Sequence, residues 1–241
     1  VAVAIEFGSQ ASGTSTSSVL TLSSMDFNAE ASDRIIAVDL TVEAFITISS
    51  ITIGGEAADL LKAEAGGSRQ TYYYSASVPT GTSGDVVVTL ASGDAAMSVS
   101  THSVTGADPT PTDTDSVRSN SAADLSLASL TIPTDGAGLA SFCNGTDSTA
   151  VSWTGATVSH DTDAGAFRHS AAIVTDVGTN TITADGATAN CSLIGVAWGP
   201  ASGGAATSLV PPALLVPHHV LAPPVQGFGS YLHDRDRKSV V

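Results

Sequence analysis

The chain predicts an all-β fold, an antiparallel β-sandwich of jelly-roll or immunoglobulin-like type. Three observations lead there. Short runs rich in Val, Ile, Thr and Tyr recur at spacings of about 8 to 12 residues; Gly, Asp and Pro punctuate them; and no stretch sustains a helical apolar period.

In order, the runs are "SVLTLS", "RIIAVDLTV", "FITISSITIGG", "RQTYYYSASV", "DVVVTLASGD" and "AMSVSTHSV", then "DLSLASLTIP", "GLASFCNG", "RHSAAIVTD", "NTITADG" and "CSLIGVAWG". In the third, Thr47, Ser49 and Thr52 interleave with Ile46, Ile48, Ile51 and Ile53, as on a sheet with one packed and one wet face. The alternation slips at Ser49–Ser50, which predicts a bend or bulge.

The two groups of runs echo each other. "SVLTLSSMDF…IIAVDL…VVVTLASGDAAMSVSTHSVTGADP" is followed by "DLSLASLTIP…GLASFC…NTITADGATANCSLIGVAWGPA". Residues 1–201 are therefore expected to hold two pseudo-repeats, about 1–110 and 115–201. They could be facing parts of one sandwich or two small sandwiches in tandem, and the first arrangement is the expected one. "TGADPTPTDTDS" is expected to join them as an exposed connector without regular pairing.

Composition narrows the function. Eight Lys and Arg stand against 23 Asp and Glu, a net charge of −15, which argues against nucleic acid because little positive charge is present to displace counterions from phosphates. No apolar run approaches the ~18 residues that cross a bilayer, and "VAVAIEF" lacks a basic leader region, so a soluble chain without membrane insertion is expected. The chain does not begin with Met, which fits a processed start or a fragment. Cys143 and Cys191 could form one disulfide across a sandwich or be two small buried hydrophobes.

After Pro200 the composition changes. "ASGGAATS" reads as a flexible linker, and "SLVPPALLVPHHVLAPPVQGFG" as an extended strip, since its prolines forbid a helix or central strand. Leu209, Leu214, Leu215, Val220 and Leu221, spaced by Pro211, Pro212, Pro223 and Pro224, make residues 202–229 a linker and docking segment, with residues 230–241 a further tail.

Residues 34–110 and 124–200 resemble a family of β-sandwich modules found in bacterial secreted or surface proteins and in tailed-phage and prophage structural proteins. The resemblance rests on "RIIAVDLTV", "ISSITIGGEAADLLKAE", "TYYYSASVPTGTSGDVVVTL", "MSVSTHSVTGADPTPTDT" and "SLIGVAWGPA". It implies that Tyr73 and Tyr74 lie in a strand and that Thr105 to Asp108 end one; it brings no catalytic residue, and Trp198 replaces the commoner aliphatic residue. The tail is similar to "PPL…FYAPTV" units of phage virion proteins, with His219 and Val220 where the aromatic pair would be. The final "DRKSVV" resembles one translated frame of a sequencing adapter. The last residues are thus read as an artefact of metagenomic assembly and the natural chain as continuing beyond them, the alternative being a genuine basic C-terminus.

Catalytic chemistry leaves little trace. There is no G-x-S-x-G, and scattered Ser, His and Asp in a β protein do not make a triad. The candidate metal ligands are His160, Asp161, Asp163 and His169 in "SHDTDAGAFRH", where a hairpin would bring them together and the D-x-D-x-G start resembles a calcium loop; calcium is the one cofactor considered. Asp113–Asp115 is a weaker candidate, and His218 with His219 suits a docking tail better than zinc. Tyr72, Tyr73 and Tyr74 could offer a stacking surface to a surface glycan, although successive residues alternate across a strand and cross-strand packing competes. The expected function is non-enzymatic: a structural or adhesive component of a tailed-phage or prophage particle, of tail, fibre or head-decoration type, in a virion or extracellular setting, partnered by other virion subunits or by itself. The alternative is a bacterial secreted surface adhesin or carbohydrate-binding accessory module.

Overall fold

The computed structural model describes residues 1–202 apart from 44–45, 67–68, 121–123, 146–148, 166 and 187–189. The docking segment predicted at residues 209–224 lies outside the described residues. Residues 1–203 form one compact unit, and every described element is a strand.

The first half contains β1 (Ala4–Thr14), β2 (Val19–Asp26), β3 (Ile35–Glu43), β4 (Ile48–Ile53), β5 (Glu56–Ala57), β6 (Asp59–Gly66), β7 (Arg69–Ser77), β8 (Ser83–Leu90) and β9 (Ala96–Thr105). The second contains β10 (Asp113–Ser119), β11 (Leu125–Ile132), β12 (Ala137–Asn144), β13 (Ser152–Thr154), β14 (Thr157–Asp163), β15 (Arg168–Val174), β16 (Gly178–Asp185) and β17 (Cys191–Trp198). All pair antiparallel. The first half makes a five-stranded sheet β1-β9-β3-β7-β6 and a smaller one β2-β8-β4-β5; the second makes β10-β17-β12-β15-β14 and β11-β16-β13.

The strand orders superimpose, β3 on β12 and β9 on β17 among them, with the two-residue β5 alone lacking a counterpart among the described residues. Even the irregularities repeat: β2 slips register between Leu22 and Met25 and β11 between Leu127 and Leu130, while β6 slips between Leu60 and Lys62 and β14 between Val158 and His160. The slip foreseen at Ser49–Ser50 is present in β4, between Ile48 and Ser50.

Each half is a sandwich with its own core. Leu20, Leu22, Val38, Leu40, Ile53, Val86 and Val88 close the first, and Leu127, Leu130, Phe142, Ile182 and Leu193 the second. Burying such side chains stabilises by about 2 kcal/mol each. This differs from one sandwich with a layer from each half: the central strands β3 and β12 are apolar or buried on both faces, so each five-stranded sheet needs a second cover. A third core provides it. Ile35, Ala37, Tyr73 and Val104 of the first half pack on Leu139, Ile194, Val196 and Trp198 of the second.

The connector also differs from expectation, because its last residues, 113–116, lie in β10, which pairs with β17 as a sheet-edge strand. Its carboxylates bind it to β11: Asp113 Oδ2 accepts from the Thr131 N–H at 2.7 Å and Asp115 Oδ2 from the Ser129 hydroxyl at 3.1 Å.

Candidate functional site

The layer between the halves is not wholly apolar. Side chains alternate along a strand, so β3 turns Ile35, Ala37, Asp39 and Thr41 toward the second half, while β12 turns Ala137, Leu139, Ser141 and Cys143 toward the first. In the ladders Asp39 lies between Tyr73 and Ser100, and Ser141 between Ala171 and Ile194. One step on, Thr41 lies between Thr71 and Ser98, and Cys143 between His169 and Ser192.

Contacts across the layer follow this equivalence. Thr71 meets Ser192 at 2.6 Å, Ser98 meets His169 Nδ1 at 2.9 Å, and Ser141 Oγ donates to Asp39 at 3.1 Å. Swapping the halves exchanges the first two pairs and returns the third to itself, which is the pattern of a pseudo-twofold, isologous interface.

A polar cluster lies to one side of this axis. Asp39, His102 and His169 are wholly buried and His160 nearly so. Asp39 Oδ2 accepts from Ser141 Oγ at 3.1 Å and lies 2.8 Å from His169 Nε2; its Oδ1 accepts from Ser100 Oγ and lies 3.4 Å from His102 Nδ1. His160 packs edge-on to His169, ring centroids 4.8 Å apart, and stacks on Phe7 at 5.5 Å. Burial alone would raise the Asp39 carboxyl, but His169, His102 and His160 together hold it well below the usual range. His160 is pushed down to about 3, chiefly by burial, against the upward pull of Asp39.

Ser141, His169 and Asp39 have the composition of a hydrolytic triad but not its wiring. In a working triad the carboxylate and the serine use opposite ring nitrogens of the histidine. Here both meet Nε2, with Ser141 Oγ at 3.2 Å, while Nδ1 faces Ser98. All three residues are fully buried.

The metal hairpin is reordered relative to the sequence reading. β14 and β15 do bring His160 and His169 together, but Asp161, next to His160, points to the opposite face and is gripped by Arg168 through Nε at 2.7 Å and the terminal nitrogen at 2.5 Å. Asp163 is exposed and caps its own turn at the Gly165 N–H, 2.7 Å away. The carboxylate beside the two histidines is Asp39, more than a hundred residues earlier.

Tyr72 and Tyr74 are buried in the first core, ring centroids 6.1 Å apart, and Tyr73 is buried between the halves, so none presents a stacking face to solvent. Cys143 and Cys191 are both free thiols. Cys143 stands opposite Ser192 and faces Thr41, whereas Cys191, one position earlier, faces the second core and hydrogen-bonds Asn144. On opposite faces of one sheet they cannot be bridged.

Scanned against protein-family models, curated proteins and solved structures, the chain matches none. What fold and site define is a class: a doubled all-β sandwich whose halves meet through a pseudo-twofold layer with a sealed Asp and His cluster.

Proposed function

We propose that the chain is a non-enzymatic structural or adhesive module of a tailed-phage or prophage particle, displayed outward by the doubled sandwich and attached through the Pro-rich segment. The observation that carries the non-enzymatic reading is the burial of the one catalytic-looking cluster among the described residues, which leaves a substrate no way in. The open depressions around Leu60 and Pro111, Gly54 and Asp85, Tyr72 and Glu64, and Thr157 and Asp176 each offer a single carboxylate and no histidine or cysteine. Two fused sandwiches with three cores suit a load-bearing part. The phage assignment rests on the resemblance of the strand motifs and of the "PPL…AP"-like tail.

Reading the gene's surroundings tests this. Capsid, portal or tail genes beside it, and further "PPL…AP" units downstream, are expected. Polysaccharide-utilisation or surface-anchoring genes, with glycan binding by the purified chain, would overturn it in favour of a surface adhesin or carbohydrate-binding module.

A further inference from the structure

The pseudo-twofold layer has two equivalent flanks, and they are furnished differently. On one, His160, His169, His102 and Ser100 surround Asp39. The positions equivalent by ladder register on the other are Lys62, Thr71, Val196 and Ile194. The fold closes on that flank with hydroxyl and aliphatic packing and a half-buried Lys62, without any imidazole or carboxylate at these positions, so packing alone does not call for three imidazoles and a carboxylate on this one.

Two further features point to a cation. His160 is 8% exposed, and neither of its ring nitrogens has a hydrogen-bond partner among the described residues, although burying an unpaired polar group is costly. Asp39, for its part, has only histidines as ion-pair partners among the described residues. His102 helps little as a neutral ring: Ser159 donates its hydroxyl proton to the Ala171 carbonyl at 3.0 Å and so receives His102 Nε2–H at 3.0 Å, leaving the Nδ1 lone pair toward the carboxylate.

We infer that Asp39, His160 and His169 form a binding site for a divalent transition-metal ion of the zinc class, which clamps the two halves together. Asp39 comes from the first half and both histidines from the second. One donor atom from each lies within 4.8 Å of the others. Tetrahedral zinc, with bonds near 2.0 Å, needs its ligand atoms about 3.3 Å apart, a closure that side-chain rotation supplies. Two imidazoles and one carboxylate suit zinc, and the set is too nitrogen-rich and too small for calcium, which takes six to eight oxygens. His169 Nδ1 at 2.9 Å from Ser98 Oγ provides the outer hydrogen bond that orients a ligating imidazole. Binding replaces the direct contact of His169 Nε2 with Asp39 Oδ2, 2.8 Å apart, by a bond from each to the metal.

The test uses the full chain, stripped with chelator, then unfolded in urea and refolded with zinc chloride or cobalt chloride, because the site is closed in the folded state. One equivalent of metal per chain, visible absorption of low-symmetry cobalt(II), and a raised Tm relative to the chelated protein are expected. His160→Phe keeps an aromatic ring on Phe7 and should fold in chelator with the wild-type circular dichroism while losing the bound equivalent. Refolded wild-type chain with no stoichiometric metal would overturn the inference, as would His160→Phe binding as much metal as the wild type.

Discussion

Asp39 and Ser141 hold equivalent places at the centres of the two five-stranded sheets and meet each other, Ser141 Oγ donating to Asp39 Oδ2 at 3.1 Å. A contact between equivalent residues lies on the pseudo-twofold axis, yet here the two ends differ, one a carboxylate and one a hydroxyl. The contact therefore breaks the symmetry of the layer, and the histidines gather on the flank toward which the carboxylate is held. Ser141→Ala should destabilise the metal-free protein by about 1 kcal/mol. Asp39→Ala, which leaves Ser100, Ser141 and His169 without their acceptor, should cost at least about 3 kcal/mol. Urea unfolding of both and of the double variant measures this. Additive effects would mean that the two groups do not interact.

Acid should weaken the metal-free chain. Burial holds His160 in the folded state down at about 3, below its ordinary value of 6.5. Between these pH values the unfolded chain binds a proton that the folded one does not, so stability falls as pH drops from 6.5 toward 3. Asp39 acts in the same direction lower down, since its depressed folded pKa gives stability that is present above 3.8 and lost as pH falls through the folded value. The titratable groups whose charges act on His160 are Asp39, His169 and His102 around it and Asp161 on the far side of its strand. Urea midpoints in chelator from pH 8 to 4.5 should decline, and His160→Phe should flatten the decline. A midpoint constant over that range would show that His160 is not held neutral.

Arg34 is wholly buried, has no carboxylate in ion-pair contact among the described residues, and its guanidinium donates to six backbone carbonyls: Val78, Phe27, Asn28, Ala29, Thr80 and Gly81, at 2.6 to 3.2 Å. It knots the loop after β2 to the loop after β7. Arg34→Met should cost at least about 3 kcal/mol by stranding those carbonyls, and Arg34→Lys should recover little, because an ammonium has three donors and no planar fork. Thermal unfolding that ranks Lys near wild type would refute the fork argument.

These residues also show how far the sequence could be read. Strand runs, the pseudo-repeat and the slip at Ser49–Ser50 are local signals, carried by alternation and turn residues. "AIEFGSQASGT" of β1 and "DTDSVRS" of β10 escaped because their pattern is too polar to mark an edge strand, whose partners supply the pairing. His160 and His169 were visible through hairpin spacing. Asp39 was not: inside "RIIAVDLTV" it looks like one polar break in an apolar strand, and it gains its role only when the second half is laid against that face. The repeat itself was a usable signal, since comparing the halves strand by strand pairs Asp39 with Ser141.

Both cysteines should behave as inert thiols. Burial pushes the Cys143 thiol up to about 12, with only partial relief from Thr41 and Arg69, so the thiolate that reacts is scarce at neutral pH. A disulfide-exchange reagent should leave the native chain unlabelled at pH 8 and label two thiols in urea, and reductant should leave the Tm unchanged. Rapid native labelling, or a Tm that drops with reductant, would mean the thiols are exposed or bonded.

The third core implies that neither half is independent. Residues 1–110 alone would expose Ile35, Ala37, Tyr73 and Val104, all buried in the whole chain, and contiguous apolar surface of this kind seeks a cover. Self-pairing through the same face offers a poor one. By the pseudo-twofold equivalence, a dimer of first halves places Asp39 against Asp39 and brings Lys62 beside His102. Two buried carboxylates in contact cannot both stay charged without large cost. The fragment should therefore run as aggregate or bind a hydrophobic dye, while the complete chain unfolds in one transition in which Trp198, buried in the shared core, reports together with circular dichroism. A folded, monodisperse fragment of residues 1–110 with no dye binding would show that the layer between the halves contributes little, and two separate transitions in the complete chain would say the same.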